Sequence, residues 1–200
     1  MGHDAPVAGR TLLSREDRRA SLLRGAAAAF ARSGFAATSM DDVAVASGVS
    51  RLIVYRHFAS KEALYRAVLE RVAHRLGDEL VGAVQRQEQG LGVRTLLTVA
   101  REDPDAFTLL WRHASREPVF ADYAAAVRVA AVGAATSFMA GRLREEIDVR
   151  WAAATVVAML VESVLAWLDD GDPAADAELV DRMWAATRAV VRSWSPPSAR

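Results

Sequence analysis

Ser39-Met40-Asp41-Asp42-Val43-Ala44-Val45-Ala46-Ser47-Gly48-Val49-Ser50-Arg51-Leu52-Ile53-Val54-Tyr55-Arg56-His57-Phe58 decides how this 200-residue chain is read. Ser39 with Asp42 three residues on has the form of a capping box, with Asp in place of the usual Glu. It opens a short helix, Met40–Ser47. Gly48 permits a backbone turn with Val49, and Ser50 caps a second helix that runs to Phe58. Met40, Val43, Ala44, Val49 and Val54 fall where they hold the two helices together. Helix, glycine turn, helix is the helix-turn-helix pattern. The second helix is rich in groups that bind DNA: Arg51, Tyr55, Arg56 and His57. Such proteins place the start of that helix in the major groove, where an arginine can give two hydrogen bonds to guanine O6 and N7.

On either side the chain reads as helix. Alanine, the strongest helix former, makes up about a fifth of it, and apolar residues recur at helical spacing. A first helix starts near Ser14 and carries Leu22, Leu23, Ala26 and Phe30 on one stripe, with Gly34 just past its end. Ser60 caps a fourth, long helix through Leu64, Val68, Leu69 and Val72, and Gly77, Gly82, Gly90 and Gly92 loosen the next stretch. Further helices are expected near Leu91–Arg101, Asp105–Ser115, Pro118–Arg144, Val149–Asp169 and Ala174–Ser193. Pro104, Pro118 and Pro173 each sit where a helix can begin. The fold class is all-α.

The formal net charge is zero, 25 basic against 25 acidic side chains, and as a whole-chain number it argues against a nucleic-acid partner. The charge is unevenly spread. Residues 1–76 hold twelve basic and seven acidic side chains, and residues 77–200 hold thirteen and eighteen, so a head of +5 precedes a body of −5. That asymmetry suits a basic module that meets a polyanion. The chain has no cysteine, which excludes a disulfide scaffold, a cysteine zinc site and a thiol nucleophile. Met1–Thr11 lacks an apolar run and reads as a short tail rather than a signal peptide. The apolar stretch Ala152–Leu168 is slightly short for a bilayer span and contains Glu162, so it reads as a buried helix. A cytoplasmic location is the expectation.

Three segments then carry a family resemblance. Gly34-Phe35-Ala36-Ala37-Thr38-Ser39-Met40-Asp41-Asp42-Val43-Ala44, Gly48-Val49-Ser50-Arg51, and Tyr55-Arg56-His57-Phe58-Ala59-Ser60-Lys61-Glu62-Ala63-Leu64 together resemble the DNA-binding domain of the tetracycline-repressor (TetR) family over roughly residues 15–70. The resemblance implies an all-helical homodimer that binds double-stranded operator DNA and, in a larger C-terminal domain, a small-molecule effector. Residues 1–13 and 195–200 would be flexible tails. Residues 14–60 would form a three-helix DNA-binding domain, and residues 61–194 an effector-binding and dimerisation domain.

Carried over by position, Thr38 and Ser39 at the start of the second helix touch phosphate, as helix N-termini favour. Ser50 begins the reading helix, and Arg51 falls on a base-reading position. Tyr55 and His57 fall on positions that grip the backbone, Tyr55 on one that can also touch a base, and Lys61, the one lysine of the chain, falls on a phosphate-binding position. Arg56 either reaches phosphate or faces solvent. Leu52 stands where the family often has a small residue or proline, and can pack on a thymine methyl. Ile53 stands where threonine is common and cannot donate a hydrogen bond.

All five tryptophans lie in the acidic part, at 111, 151, 167, 184 and 194. Phe107 and Trp111 share one helical face, Tyr123 and Phe138 another, and Thr155, Met159 and Glu162 a third. Within the resemblance these faces border an effector pocket. Phe107, Trp111, Tyr123, Phe138, Met159 and Glu162 are the candidate lining, which suits a hydrophobic or aromatic effector. Glu162 either bonds a ligand, pairs with Arg112 or His113, or faces solvent or a dimer interface. The valine- and alanine-rich faces of the last two long helices, through Val156, Val157, Val161, Val164, Val180, Met183, Trp184, Thr187, Val190 and Val191, suit a four-helix dimer interface.

No catalytic or cofactor motif is present: no nucleophile elbow, Walker loop, zincin motif or dinucleotide glycine pattern. No catalytic residue, metal ligand or cofactor is therefore expected. The alternative class is a helical small-molecule carrier or enzyme with no DNA role. Sequence-specific, salt-dependent DNA binding separates the two.

Overall fold

A computed structural model describes residues 15–196. Ser14 and the expected tail 1–13 lie outside the described residues, as do residues 197–200 of the C-terminal tail. The described residues are helical with no strand.

Helix α1 spans Arg15–Ala37, with a break at Gly34, whose φ of 78° is non-helical. The glycine expected at the end of the first helix thus turns the chain, and Phe35–Ala37 lead into α2, Met40–Ala46. The Ser39 capping box is formed. The Asp42 N–H donates to Ser39 Oγ at 3.1 Å, and the Ser39 N–H donates to Asp42 Oδ2 at 2.8 Å. Ser47 ends α2, Gly48 takes φ 65°, and α3 runs Arg51–His57. At Gly25 in α1 a Cβ would lie 2.3 Å from Ser47 Oγ, so only glycine lets the end of α2 come this close.

Helix α4, Lys61–Gln85, is capped by Ser60 and passes unbroken through Gly77 and Gly82. Two isolated glycines cost the helix about 2 kcal/mol in propensity, which burial of Leu64, Tyr65, Val68, Leu69 and Val72 on its inner face outweighs. Helix α5 is Leu91–Glu102, and α6 starts at Pro104, with Asp103 as its cap. Helix α6 (Pro104–Thr108) continues through a π-turn, Leu109–His113, and a tight last turn, Ala114–Arg116. Helix α7 is Ala121–Met139, shorter than expected at both ends. Pro118 lies in the preceding turn and starts no helix. Beyond Met139 the chain turns at Gly141, whose φ is 70°. Helices α8, Val149–Asp170, and α9, Asp176–Trp194, complete the fold, with Pro173 opening a short turn before α9.

One continuous core runs from α1 to α9. Tyr65 at the start of α4 is its junction. Its ring meets Phe30 at 4.9 Å, Phe35 at 5.1 Å and Phe120 at 4.5 Å between centroids. Burial pushes its phenol well above the usual tyrosine range, so it is neutral at any working pH. Ion pairs tie the body together: Arg71 with Asp103, Arg75 with Glu79 and Glu102, Arg101 with Asp176, and Arg112 with Asp169. Helix α8 is long and apolar enough to cross a membrane by length and composition. In this fold it packs on α5 and α7.

Candidate nucleic-acid interface and effector cavity

Buried Val54 anchors α3 against α2, and this turns the rest of α3 outward. Arg51, Leu52, Tyr55 and Arg56 are all exposed, Leu52 at 68%. Arg51 Nη1 donates to Asp41 Oδ2 at 2.8 Å, and its guanidinium sits 5.3 Å over the Tyr55 ring. The Tyr55 hydroxyl and then the Asp41 carboxylate favour the charged arginine. Asp41 carries no signal in the sequence, because ten residues and a turn separate it from Arg51 and only the crossing of α2 and α3 brings them together.

The remaining head residues divide by what already occupies them. Thr38 is 2% exposed, and its hydroxyl donates to the Gly34 carbonyl at 2.7 Å. Its side chain therefore secures the α1–α2 corner instead of standing open to a phosphate. The Ser39 hydroxyl is held by Asp42 at 2.6 Å, and the same bonds lower the Asp42 carboxyl below its usual range. Ser50, by contrast, makes no cap bond with its side chain and is exposed. His57 is half-buried beside Phe58. Lys61 Nζ donates to the Phe35 and Ala36 carbonyls at 2.8 and 3.1 Å, and lies 4.6 Å over the Phe35 ring. It closes the end of α1, where a cation is favoured. An ammonium has three donors, so one remains for an outside acceptor.

A cavity of about 600 Å³ lies between α4, α5, α7, α8 and α9. Of the six candidate lining residues, Trp111 and Phe138 border it. The other four do not. Phe107 is fully buried behind Trp111, with ring centroids 6.3 Å apart. Tyr123 is half-buried near the head, under the Arg66 guanidinium. Helix α8 turns Val156, Val157, Leu160 and Val161 to the cavity, which leaves Met159 off the wall and Glu162 exposed. Arg112 pairs with Asp169 at 2.7 Å, not with Glu162. Val156, Val157 and Val161 of α8, with Trp184, Thr187 and Val191 of α9, are expected from sequence at the dimer surface, but they line the cavity instead. The exposed face of these helices is another one: Trp151 (54% exposed), Ala154, Thr155, Ala158, Glu162 and Ala166, with Ala185, Ala186 and Ala189. No metal-binding cluster occurs among the described residues.

Comparison with known proteins places this geometry. Residues 22–68 match the family model of bacterial regulatory proteins of the tetR family. Over 194 residues the chain is 29% identical to the HTH-type transcriptional activator FasR of Mycolicibacterium smegmatis, covering 86% of this chain and 83% of that one. It is 42% identical over 62 residues to the HTH-type transcriptional repressor Rv3405c of Mycobacterium tuberculosis, which covers 31% of this chain and 33% of the relative. Among solved structures, the SmeT–triclosan complex superposes with a TM-score of 0.65 at 18% identity, over 90% of this chain and 93% of the other.

Proposed function

We infer the mechanism from one premise: the chain belongs to the TetR family of helix-turn-helix transcriptional regulators, and it is not an enzyme. It acts in the cytoplasm as a homodimer that binds a pseudo-palindromic operator and is released by a small hydrophobic or aromatic effector. The observation that carries this reading is the outward row Arg51, Leu52, Tyr55 and Arg56, joined through one helix to an apolar cavity. Residues 14–60 are the reading head and residues 61–194 the sensing body. Arg51 reads a base, Leu52 lies against a thymine methyl, and Ser50, Tyr55, Arg56, His57 and Lys61 hold phosphates. Thr38 and Ser39 contribute the backbone at the start of α2.

The exposed, alanine-rich faces of α8 and α9 support a twofold four-helix interface, because small side chains let helices approach closely. A dimer sets two recognition helices about 34–36 Å apart, one turn of DNA. Helix α4 begins in the head core at Leu64 and Tyr65 and reaches the cavity at Ala73, Leu76 and Leu80. A ligand that wedges the cavity tilts α4 and changes the head spacing. Coupling of this kind amounts to about 1–3 kcal/mol. Triclosan in SmeT, a protein of the same fold, supports an effector of aromatic character here. The curated relatives include an activator and a repressor. Repression is the reading taken, because ligand-responsive repression is the family's commonest mode.

The test selects DNA from a random pool, then measures anisotropy of the selected duplex against protein with and without candidate effectors. The expected result is a palindromic site, salt-dependent binding by a dimer, and loss of affinity with effector. Binding that ignores sequence, or a monomer on a single half-site, would overturn the reading.

A further inference from the structure

The cavity wall is apolar almost throughout, yet its charged members gather in one place. Arg188 and Arg192 lie one turn apart near the end of α9, and Arg142 lies in the loop after α7. That loop is fastened to the same end of α9, because the Arg144 N–H donates to the Trp194 carbonyl at 2.9 Å. This end is remote from the head. Helix α7 starts beside Tyr65 at Phe120 and runs away from it, and α9 starts at Asp176 against Arg101 and runs the same way. Trp111 closes the cavity nearer the head.

The three arginines are unspent. Their neighbours Arg86 and Arg144 are paired with Glu88 and Glu146, but Arg142, Arg188 and Arg192 form no ion pair among the described residues. Glu88, the one acidic residue of the wall, is already held by Arg86 at 2.5 Å. Arg188 rests 5.6 Å over the Trp184 ring, exposed at the rim. Three polar atoms of residues that line the cavity also lack partners, although they are buried behind its surface: the indole N–H groups of Trp111 and Trp184 and the hydroxyl of Thr95.

We propose that the ligand of this cavity is an elongated amphipathic anion. Its negative end is held by Arg142, Arg188 and Arg192, and its apolar body extends between α4, α7 and α8 toward Trp111. This rests on the effector reading above and narrows its ligand from any hydrophobic compound to one with an anionic end. A neutral aromatic effector would make no use of the charge of these three exposed guanidinium groups. A cation would be repelled at the rim.

Binding is measured on the full chain without DNA, by tryptophan emission, since Trp111 and Trp184 line the cavity. The probes are dodecanoate, dodecanol and dodecyltrimethylammonium, which share a tail and differ in charge. Dodecanoate is expected to bind tightest. The exposed double change Arg188→Ala with Arg192→Ala should weaken dodecanoate about tenfold or more, the equivalent of one charged hydrogen bond, and leave dodecanol unchanged. Arg188→Lys should retain part of the affinity. Equal binding of dodecanoate and dodecanol, tighter binding of the cation, or an unaltered double variant overturns the proposal. The operator experiment is separate. Arginine-dependent dodecanoate binding that leaves operator affinity untouched defeats the induction reading but not this one. Operator release by neutral compounds alone defeats this one and spares induction.

Discussion

The head and the body are both helical and share one core, but they are packed to different ends. In the head, Leu22, Leu23, Phe30, Val43 and Val54 are each at most 1% exposed, and side chains fill the space between α1, α2 and α3. In the body, five helices of similar composition border a partly open cavity of about 600 Å³. Alanine on the α7 wall, at Ala130, Ala131, Ala134 and Ala135, leaves the room open. The contrast teaches what each part is for. A head must present Arg51 and Tyr55 at fixed positions, and a close-packed core resists deformation. A body that admits a ligand leaves room in its interior and is correspondingly easier to deform.

The largest test of that contrast is a pair of core substitutions followed by urea unfolding. Phe30→Ala should cost about 3–5 kcal/mol. Ala134→Leu, which grows into the cavity, should stay within about 1 kcal/mol of the parent while blocking ligand. Equal losses at the two sites would erase the distinction.

Next in size is the reading surface. Arg51→Ala should weaken specific DNA binding by about 1–3 kcal/mol and relax one base position. Equal loss on every sequence would make Arg51 a phosphate contact. Asp41→Asn sharpens the same point. It removes a carboxylate that competes for Arg51 in the free protein, and affinity for all DNA should rise by under about 1 kcal/mol. A fall would mean that Asp41 aims Arg51 instead of withholding it.

Lys61→Ala tests a residue with two duties. The salt slope of DNA binding should drop by about one. Stability should fall by about 1 kcal/mol, since the Phe35 and Ala36 carbonyls lose their cation. A stability loss with an unchanged salt slope would leave Lys61 as a cap alone.

The smallest effect is with acid. The Arg112 guanidinium lowers the Asp169 carboxyl below its usual range, and Arg101 and then the Trp167 indole lower that of Asp176. A carboxylate with a depressed folded pKa stabilises above its unfolded value, about 3.9, and loses that contribution as pH falls further. The body, which holds both pairs, should therefore loosen below about pH 4. Tryptophan emission reads this directly, since all five indoles lie in the body. Emission unchanged down to about pH 2 would show the pairs to be idle.

The range over which each signal acts decides how much was legible in the sequence. Capping and turn signals act within three or four residues, so Ser39, Gly48 and Ser60 placed their elements to within one or two positions. The outward row on α3 came from helical spacing around Val54. The cavity wall did not, because which face of α8 turns inward depends on α4, α7 and α9 together. Spacing alone made the stripe of Met159 and Glu162 as good a candidate as that of Val156 and Leu160. Glycine content misled at Gly77 and Gly82, where tertiary burial overrides a weak local preference. The Arg51–Asp41 contact and the three arginines of the cavity rim needed the packed chain, since no local pattern marks them.

The close approach at Gly25 has a genetic consequence. A methyl group there would wedge Ser47 away from α1 and spoil the posture of α2 and α3. In the proposed dimer, the exposed faces of α8 and α9 that would form the interface would be untouched. An allele carrying Gly25→Ala would therefore still produce subunits that enter dimers. Each mixed dimer would hold one sound head and one spoiled head, with a single half-site to grip. Such an allele would be trans-dominant, silencing its wild-type sibling in the same cell, whereas an allele that destroys the body would be recessive.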